Sequence, residues 1–225
     1  MRIRQPSVVR CAALVLASVA GAARPAAAQM PGLPVIQNAF TARGFAVAGN
    51  YGYASNATGY GLALGWGPGS GMFQVSAGVG AFSPDSGRAR TSFGGRVAVP
   101  VLRAGQSGRL AIAAFAGAGV ASRDSISHLL VPVGASIGFR SALGATRGFS
   151  VYAAPFYSIT RRKREGQGVA KSSLFRGSLG VDVTLTPSLG VTAGVEAGAT
   201  AKTGKPGPTG AQFGVGVSFA PGRGT

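Results

Sequence analysis

From about residue 45 onward, bulky apolar residues alternate with small or polar ones at a period of two. The stretch 172–185 shows the alternation best, because Phe175 and Leu179 share one parity whereas Arg176 and Ser178 share the other. Successive side chains of a β-strand point to opposite faces, so this period predicts strands. No stretch after Gln29 shows the 3.6-residue period of an amphipathic helix. We therefore predict an all-β fold.

Ten such segments follow one another, separated by turn-forming clusters such as Gly67-Pro68-Gly69-Ser70 and Thr186-Pro187-Ser188. Even strand spacing with short turns predicts an antiparallel up-and-down arrangement over residues 45–219. Eight or twelve strands would follow if a weak segment fails or if 30–44 adds pairing. The ten segments are 45–54, 58–67, 71–82, 90–102, 109–121, 129–140, 149–159, 172–185, 189–200 and 210–219.

The second face of these strands is too poor in charge to be the exterior of a soluble protein. It carries mostly Gly, Ser, Ala and Thr, and only 12% of all residues are charged. If the bulky apolar face meets lipid and the small face lines a lumen, the pattern fits a transmembrane β-barrel. Segments of 10–13 residues also match the roughly 9–11 residues of a tilted membrane-spanning strand. A soluble secreted or periplasmic barrel that binds an apolar ligand is the alternative.

Aromatic residues of the bulky parity cluster near the predicted strand ends. Such residues form girdles at the two interfaces of membrane barrels, where a polarisable ring is most stable. An even number of strands places both termini on the periplasmic side. The aromatic residues are Phe45, Trp66, Phe73, Phe139, Phe149 and Phe219 at periplasmic ends, and Tyr53, Tyr60, Phe93, Tyr157, Phe175 and Phe213 at or near outer ends.

The last segment carries a C-terminal pattern. Gln212, Gly214, Val217 and Phe219 fill the defined places of polar, x, Gly, x, x, aliphatic, x, aromatic. This resembles the β-signal of bacterial outer-membrane proteins, which implies recognition by the barrel-assembly machinery. The signal usually ends the chain, whereas a tail of residues 220–225 follows here. The whole mature chain is similar in architecture to the broad OmpA/OmpX-like β-barrel superfamily, which implies location in the bacterial outer membrane.

Residues 1–28 have the organisation of a secretory signal peptide. A basic start precedes the apolar run 11–23, and Ala26-Ala27-Ala28 suits signal peptidase, which predicts a mature start at Gln29. An apolar run of 13 residues is too short for a transmembrane helix. We expect residues 29–44 to form an N-terminal periplasmic segment. The mature chain would have no cysteine, because Cys11 leaves with the signal.

The glycines and the charges sharpen this interpretation. The chain has 38 Gly in 225 residues, without the three-residue period of collagen, and its low charge argues against disorder. Glycines that face a narrow lumen permit closure and tight curvature. The formal charge is +17; removal of four Arg with the signal leaves 18 Lys and Arg against five acids, or +13.

A basic outer loop is predicted from Arg161 to Arg164 with Lys171. Nucleic acid is the usual partner of such a cluster, but a loop on the cell surface has no access to genomic DNA. Lipopolysaccharide phosphates are the nearer anions, and arginine binds phosphate bidentately. We therefore expect Arg161, Arg162, Lys163, Arg164 and Lys171 to contact lipopolysaccharide or to be simply solvated.

Four charged residues have inward parity: Arg96, Arg176, Asp182 and Glu196. Counting back from the 186–188 turn brings Arg176 diagonally beside Glu196, within reach of a cross-strand ion pair. We expect a lumenal network, Arg176 with Glu196 and Arg96 with Asp182, that plugs the barrel or gates a narrow passage. Solvation of these charges by lumenal water is the alternative.

Catalysis has little support in the sequence. The mature chain has one histidine, His128, with Asp124, Ser125 and Ser127 nearby, and this short stretch lacks the remainder of a hydrolytic site. One His, no mature Cys and scattered acids predict no metal site, and no motif predicts a cofactor. We expect an outer-membrane barrel with a structural, surface-interaction or narrow-pore role. An outer-membrane hydrolase that uses His128 and Asp124 is the distant alternative.

Overall fold

The computed structural model describes residues 30–31, 33–41, 43–54, 57–85, 88–103, 108–123, 126–143, 147–166, 168–198 and 211–220. The predicted signal peptide and residues 221–225 of the predicted tail lie outside them. Ten strands form in the described residues: β1 Gly44–Ala54, β2 Ala57–Gly67, β3 Gln74–Pro84, β4 Arg90–Leu102, β5 Leu110–Arg123, β6 Ile126–Ala142, β7 Gly148–Arg164, β8 Ala170–Thr184, β9 Leu189–Gly198 and β10 Gln212–Phe219.

Each strand pairs with the next one along the chain, always antiparallel, and β1 pairs with β10 to close the sheet. The all-β, ten-strand, up-and-down barrel is therefore confirmed. We call the end of the barrel at which β1 starts and β10 finishes the terminal end, and the opposite end the far end. The terminal end corresponds to the predicted periplasmic side.

The pairing register determines the width of the barrel. A line of paired residues that starts at Asn50 and runs through β2 to β6 reaches Arg162 on β7, whereas the line through β10, β9 and β8 reaches Ser150 on the same strand. The two ends of this circuit lie twelve residues apart, which is the shear of the barrel. With ten strands about 4.8 Å apart, this shear gives a tilt of about 40° and a radius of about 10 Å to the backbone.

The outer surface of this barrel is apolar. Leu62 and Leu64 are each 63% exposed, and Val79 is 60% exposed, although all three lie in the middle of strands. Ten of the twelve aromatic side chains predicted to face outward are exposed, and Phe73 and Phe149 are half-buried. The alternation seen in the sequence therefore separates an outward apolar face from an inward small or polar one.

The far end differs from the prediction around β7 and β8. Arg161 pairs with Lys171 and Arg162 pairs with Ala170, so the residues predicted as a basic loop lie in strands that continue further than predicted. The prediction of a loop was wrong because charged residues of a regular ladder look like loop residues when only composition is considered. Between the two strands, residues 165–169 remain as the connection.

The segment before β1 also differs from the prediction. Residues 30, 31 and 33–40 are all buried, and several of them, such as Pro34, Val35 and Asn38, contact inward-facing residues of the barrel wall. A segment free in the periplasm would expose its side chains. Residues 30–31 and 33–40 lie inside the barrel, and we call them the lumenal segment.

Candidate functional site: the filled lumen

The lumenal segment packs its apolar side chains against the inner face of the wall. Val35 is 2% exposed and belongs to a cluster with Ala98, Ala154, Phe115 and Phe156. Closer to the terminal end, Phe40 packs with Ala39, Ala111 and Ala113, and its ring lies 5.0 Å from the guanidinium carbon of Arg140. A third cluster joins Met30 and Leu33 to Ala63. Three of the four buried apolar clusters in the described residues therefore join the segment to the inner face of the wall.

Inward-facing glycines make the space for this segment. A Cβ at Gly214 would lie 2.5 Å from Pro34 Cγ and 2.8 Å from Ile36 Cδ1. At Gly138 it would lie 2.7 Å from Asn38 Oδ1. Contacts this short do not occur at real Cβ atoms, so at these two positions the segment fits because the wall has no side chain there. The glycines permit an inserted chain as well as curvature.

Glu196 on β9 joins the segment to the wall. Its Oε2 accepts a hydrogen bond from the backbone N–H of Val35 at 2.5 Å, while its Oε1 lies 2.5 Å from Nε of Arg176 on β8. Arg176 and Glu196 are 2% and 5% exposed. Structure thus brings together the two residues that the register argument placed side by side, and it adds Val35 as a partner that the sequence did not indicate.

Asp182 on β8 forms a second polar attachment. Its Oδ2 accepts hydrogen bonds from the side-chain amide of Asn38 and, at 3.4 Å, from the hydroxyl of Ser150. The same Asn38 amide nitrogen lies 2.6 Å from Ser150 Oγ. Asn38 therefore fixes the segment to two neighbouring strands near the terminal end.

Arg96 on β4 forms a third attachment, because its Nη1 donates to the carbonyl of Ile36 at 3.3 Å. Arg96 is 8% exposed and Asp182 is 6% exposed, so both lie within the filled lumen. The proposed direct pairing of Arg96 with Asp182 stays a prediction. Each of the four predicted lumenal charges is buried, and three of them contact the segment directly. The limitation to four inward charges was wrong, because three further basic residues share the inward parity: Arg90, Arg140 and Arg162.

These attachments have an energetic reason. A buried charge without partners costs several kcal/mol, and each carboxylate here is near donors from both the wall and the segment. Glu196 and Arg96 hold adjacent residues of the segment by their backbone groups, one N–H and one C=O. Burial of the charges and insertion of the segment therefore depend on each other.

The residues of the possible hydrolase do not form a catalytic pair in the described part of the far end. Nε2 of His128 lies 2.7 Å from Nη1 of Arg90. Ser127 is the strand neighbour of His128, so its side chain points to the opposite face. Asp124 and Ser125 lie outside the described residues. Among those that are described, no cluster of three or more His, Cys, Asp or Glu could hold a metal ion.

The extended β7 and β8 divide the predicted basic group between two faces. Arg161 and Lys163 are exposed on the outward parity, together with Lys171, which pairs with Arg161. Arg162 has the inward parity and is half-buried. Arg164, at the end of β7, is exposed. Sequence composition could not show this division, because it requires the strand to continue through the cluster.

The predicted assembly signal forms β10, the strand that closes the barrel. Gln212 and Gly214 face the lumen, whereas Val217 and Phe219 are exposed on the outer surface at 51% and 52%. The aliphatic and the aromatic positions of the signal, Val217 and Phe219, are therefore both accessible from outside the barrel. Recognition by an assembly machinery stays a prediction.

Comparisons with known proteins give distant structural similarities only. No family model and no curated protein matches the sequence. Among solved structures, the translocator domain of the autotransporter NalP from Neisseria meningitidis is 12% identical with a TM-score of 0.44, covering 80% of this chain and 89% of that one. NanC porin is 10% identical with a TM-score of 0.39, covering 78% of this chain and 99% of that one. Within the described residues there is no helix with the length and hydropathy needed to cross a bilayer.

Proposed function

We propose that this chain is an integral outer-membrane β-barrel that forms a narrow pore closed by its own N-terminal segment. The observation that carries the proposal is the distribution of side chains, which is the inverse of that in a soluble protein. Large apolar residues are exposed on nine of the ten strands, and the outward Val191 and Val195 of β9 are half-buried. The buried charges lie inside instead.

A lipid environment accounts for this surface better than water does. Soluble monomers rarely expose continuous apolar patches of more than a few hundred Å², whereas here the apolar face continues around the barrel. The soluble barrel with an apolar ligand would need the opposite arrangement, with charged residues outside. The aromatic residues near both strand ends, such as Trp66 and Phe213, support placement at two interfaces.

The lumenal segment supports a closed resting state. It fills the interior with apolar side chains and uses Glu196, Asp182 and Arg96 as attachments. A lumen lined by small residues would otherwise leave room for water. The pore role therefore requires displacement of the segment, and the structural role requires that it stay in place.

Export and surface contacts complete the proposal. The predicted cleavage before Gln29 would leave the lumenal segment at the start of the mature chain. β10 would be read by the barrel-assembly machinery, and the outward Arg161, Lys163 and Lys171 would contact lipopolysaccharide phosphates. We propose no enzymatic activity, no cofactor and no nucleic-acid partner.

Cell fractionation with gel mobility tests the membrane location. The folded protein should sediment with outer membranes, and its mobility in detergent gels should change on heating. Recovery of the whole protein in the soluble periplasmic fraction, with no heat-dependent mobility, would contradict the proposal.

Thiol accessibility tests the closed lumen. Cys11→Ser provides a chain without cysteine, into which Val35→Cys or Lys163→Cys is introduced. A membrane-impermeant maleimide should label the exposed Lys163→Cys protein at least about a hundredfold faster than Val35→Cys, because opening must precede reaction at a buried site. Equal labelling rates in folded protein would show that the segment does not fill the lumen.

A further inference from the structure

Three basic side chains lie on the inner face of the wall at the far end. They come from three strands: Arg90 from β4, His128 from β6 and Arg162 from β7. Arg90 Nη1 and His128 Nε2 are 2.7 Å apart, and Arg162 is the direct partner of His128 in the pairing of β6 with β7. We call these three residues the basic mouth.

A small residue on the intervening strand allows this convergence. Ala121 of β5 lies between the strands that carry Arg90 and His128, because it pairs with Ser92 of β4 on one side and with His128 of β6 on the other. Ala121 is 1% exposed. A longer side chain there would separate the two groups.

The basic mouth is distinct from the attachments of the lumenal segment. Arg96, the attachment on the same strand as Arg90, lies six residues away, about 20 Å along an extended chain. Arg90, His128 and Arg162 are each half-buried rather than enclosed. An anion from the solution could therefore reach them while the segment stays in the lumen.

We propose that the basic mouth binds the oxyanion group of a small solute, a phosphate in the first instance. Two guanidinium groups beside an imidazole supply several N–H donors that converge, and the planar fork of arginine matches a phosphate or carboxylate. Nη1 of Arg90 can only donate, so Nε2 of His128 accepts its hydrogen bond as a neutral imidazole. An oxyanion would compensate the positive charges of the two guanidinium groups.

The parity of β7 distinguishes two sources of the phosphate. A lipopolysaccharide phosphate would meet the outward Arg161 and Lys163, whereas the inward Arg162 faces the mouth of the barrel. Lys163 is adjacent to Arg162, carries the same charge and points to the opposite face, so it provides a matched control.

Titration calorimetry of the full-length protein in detergent at low ionic strength tests the proposal, with inorganic phosphate and a hexose 6-phosphate as probes. The unsubstituted protein should bind both. Arg90→Gln and Arg162→Gln should each weaken binding by about tenfold, since a charge-assisted hydrogen bond typically contributes that much or more. Arg162→Lys should have a smaller effect, and Lys163→Gln should change the affinity by less than about twofold.

Three results would overturn the proposal. They are absence of binding by the unsubstituted protein, equal weakening by Lys163→Gln and Arg162→Gln, and no weakening by Arg162→Gln in a protein that keeps its heat-dependent mobility. The measurement is independent of the membrane proposal, because it is made on the folded barrel in detergent. Failure here would leave the fractionation and thiol experiments unaffected.

Discussion

The two faces of the barrel wall differ in what stabilises them. The outer face is apolar along the middle of the strands, and those side chains need only an apolar solvent. The inner face is small and polar, and it becomes a core only when the lumenal segment lies against it. Leu62 is 63% exposed, whereas Val35 is 2% exposed although it belongs to no strand. An apolar environment thus stabilises the outer face, whereas a distant part of the same chain stabilises the inner face.

This comparison changes the meaning of the glycines. On the outer face Gly49 has room for a methyl group, with the nearest Leu62 carbon 3.9 Å from a built Cβ. On the inner face Gly214 has none, because Pro34 and Ile36 occupy the space. The same residue type therefore has different consequences on the two sides of one sheet.

The largest effect is expected from Arg176→Met on the inner face. It would leave Glu196 buried beside a methionine, which should lower the free energy of unfolding by about 3–5 kcal/mol. Urea unfolding in detergent, followed by gel mobility, measures the change. The double variant with Glu196→Gln should recover a substantial part of the loss; a double variant as unstable as the sum of both single changes would contradict coupling of the pair.

The next largest effect is expected from Leu62→Arg on the outer face. A lipid-facing arginine near the middle of a span costs about 2–4 kcal/mol, whereas an exposed position in water would change stability by less than about 0.5 kcal/mol. Unfolding from lipid vesicles measures it. A change of the smaller size would show that water surrounds this face.

Gly214→Ala should have an intermediate effect of about 1–3 kcal/mol, because the added methyl group collides with Pro34 and Ile36. It should also accelerate maleimide labelling of the Val35→Cys protein. Gly49→Ala is the matched control on the outer face and should leave both measurements nearly unchanged. Equal responses of the two alanine variants would remove the distinction between the faces.

The smallest effect is expected from Tyr157→Phe. Its hydroxyl forms a 2.7 Å hydrogen bond with Ser173 on the outer face, where both side chains are accessible. Loss of such a bond should cost about 0.5 kcal/mol. Urea unfolding checks this value, and a loss comparable with that of Arg176→Met would mean that polar contacts outside are as important as those inside.

The strands were predictable because their signal is local. The alternation of bulky and small residues is visible within each segment, and the turn clusters mark where each segment ends. The ten strands and their outward aromatic residues therefore follow from the sequence. Strand ends were less predictable where charges continue a ladder, as at Arg161 and Lys171. The Arg176 to Glu196 contact was also accessible, because a short turn fixes the register of β8 and β9.

The lumenal segment could not be predicted in the same way. Residues 30–41 have no alternation, since Pro31 and Pro34 interrupt any strand pattern. Their apolar residues, such as Val35 and Phe40, predict burial, but the sequence does not indicate which residues they contact. The partners are glycines and charges far away in the sequence, 60 residues for Arg96 with Ile36 and 161 for Glu196 with Val35, and their spacing becomes evident only after the barrel closes.

Single-channel recording in planar bilayers tests the central claim most directly. The unsubstituted protein should show no stable open state, because the lumenal segment fills the barrel. Val35→Asp places a carboxylate beside Glu196 and should expel the segment, which would produce discrete openings, whereas the uncharged Val35→Thr should stay closed. A stable open state in the unsubstituted protein, or a Val35→Asp protein that inserts into the bilayer and never opens, would contradict the account.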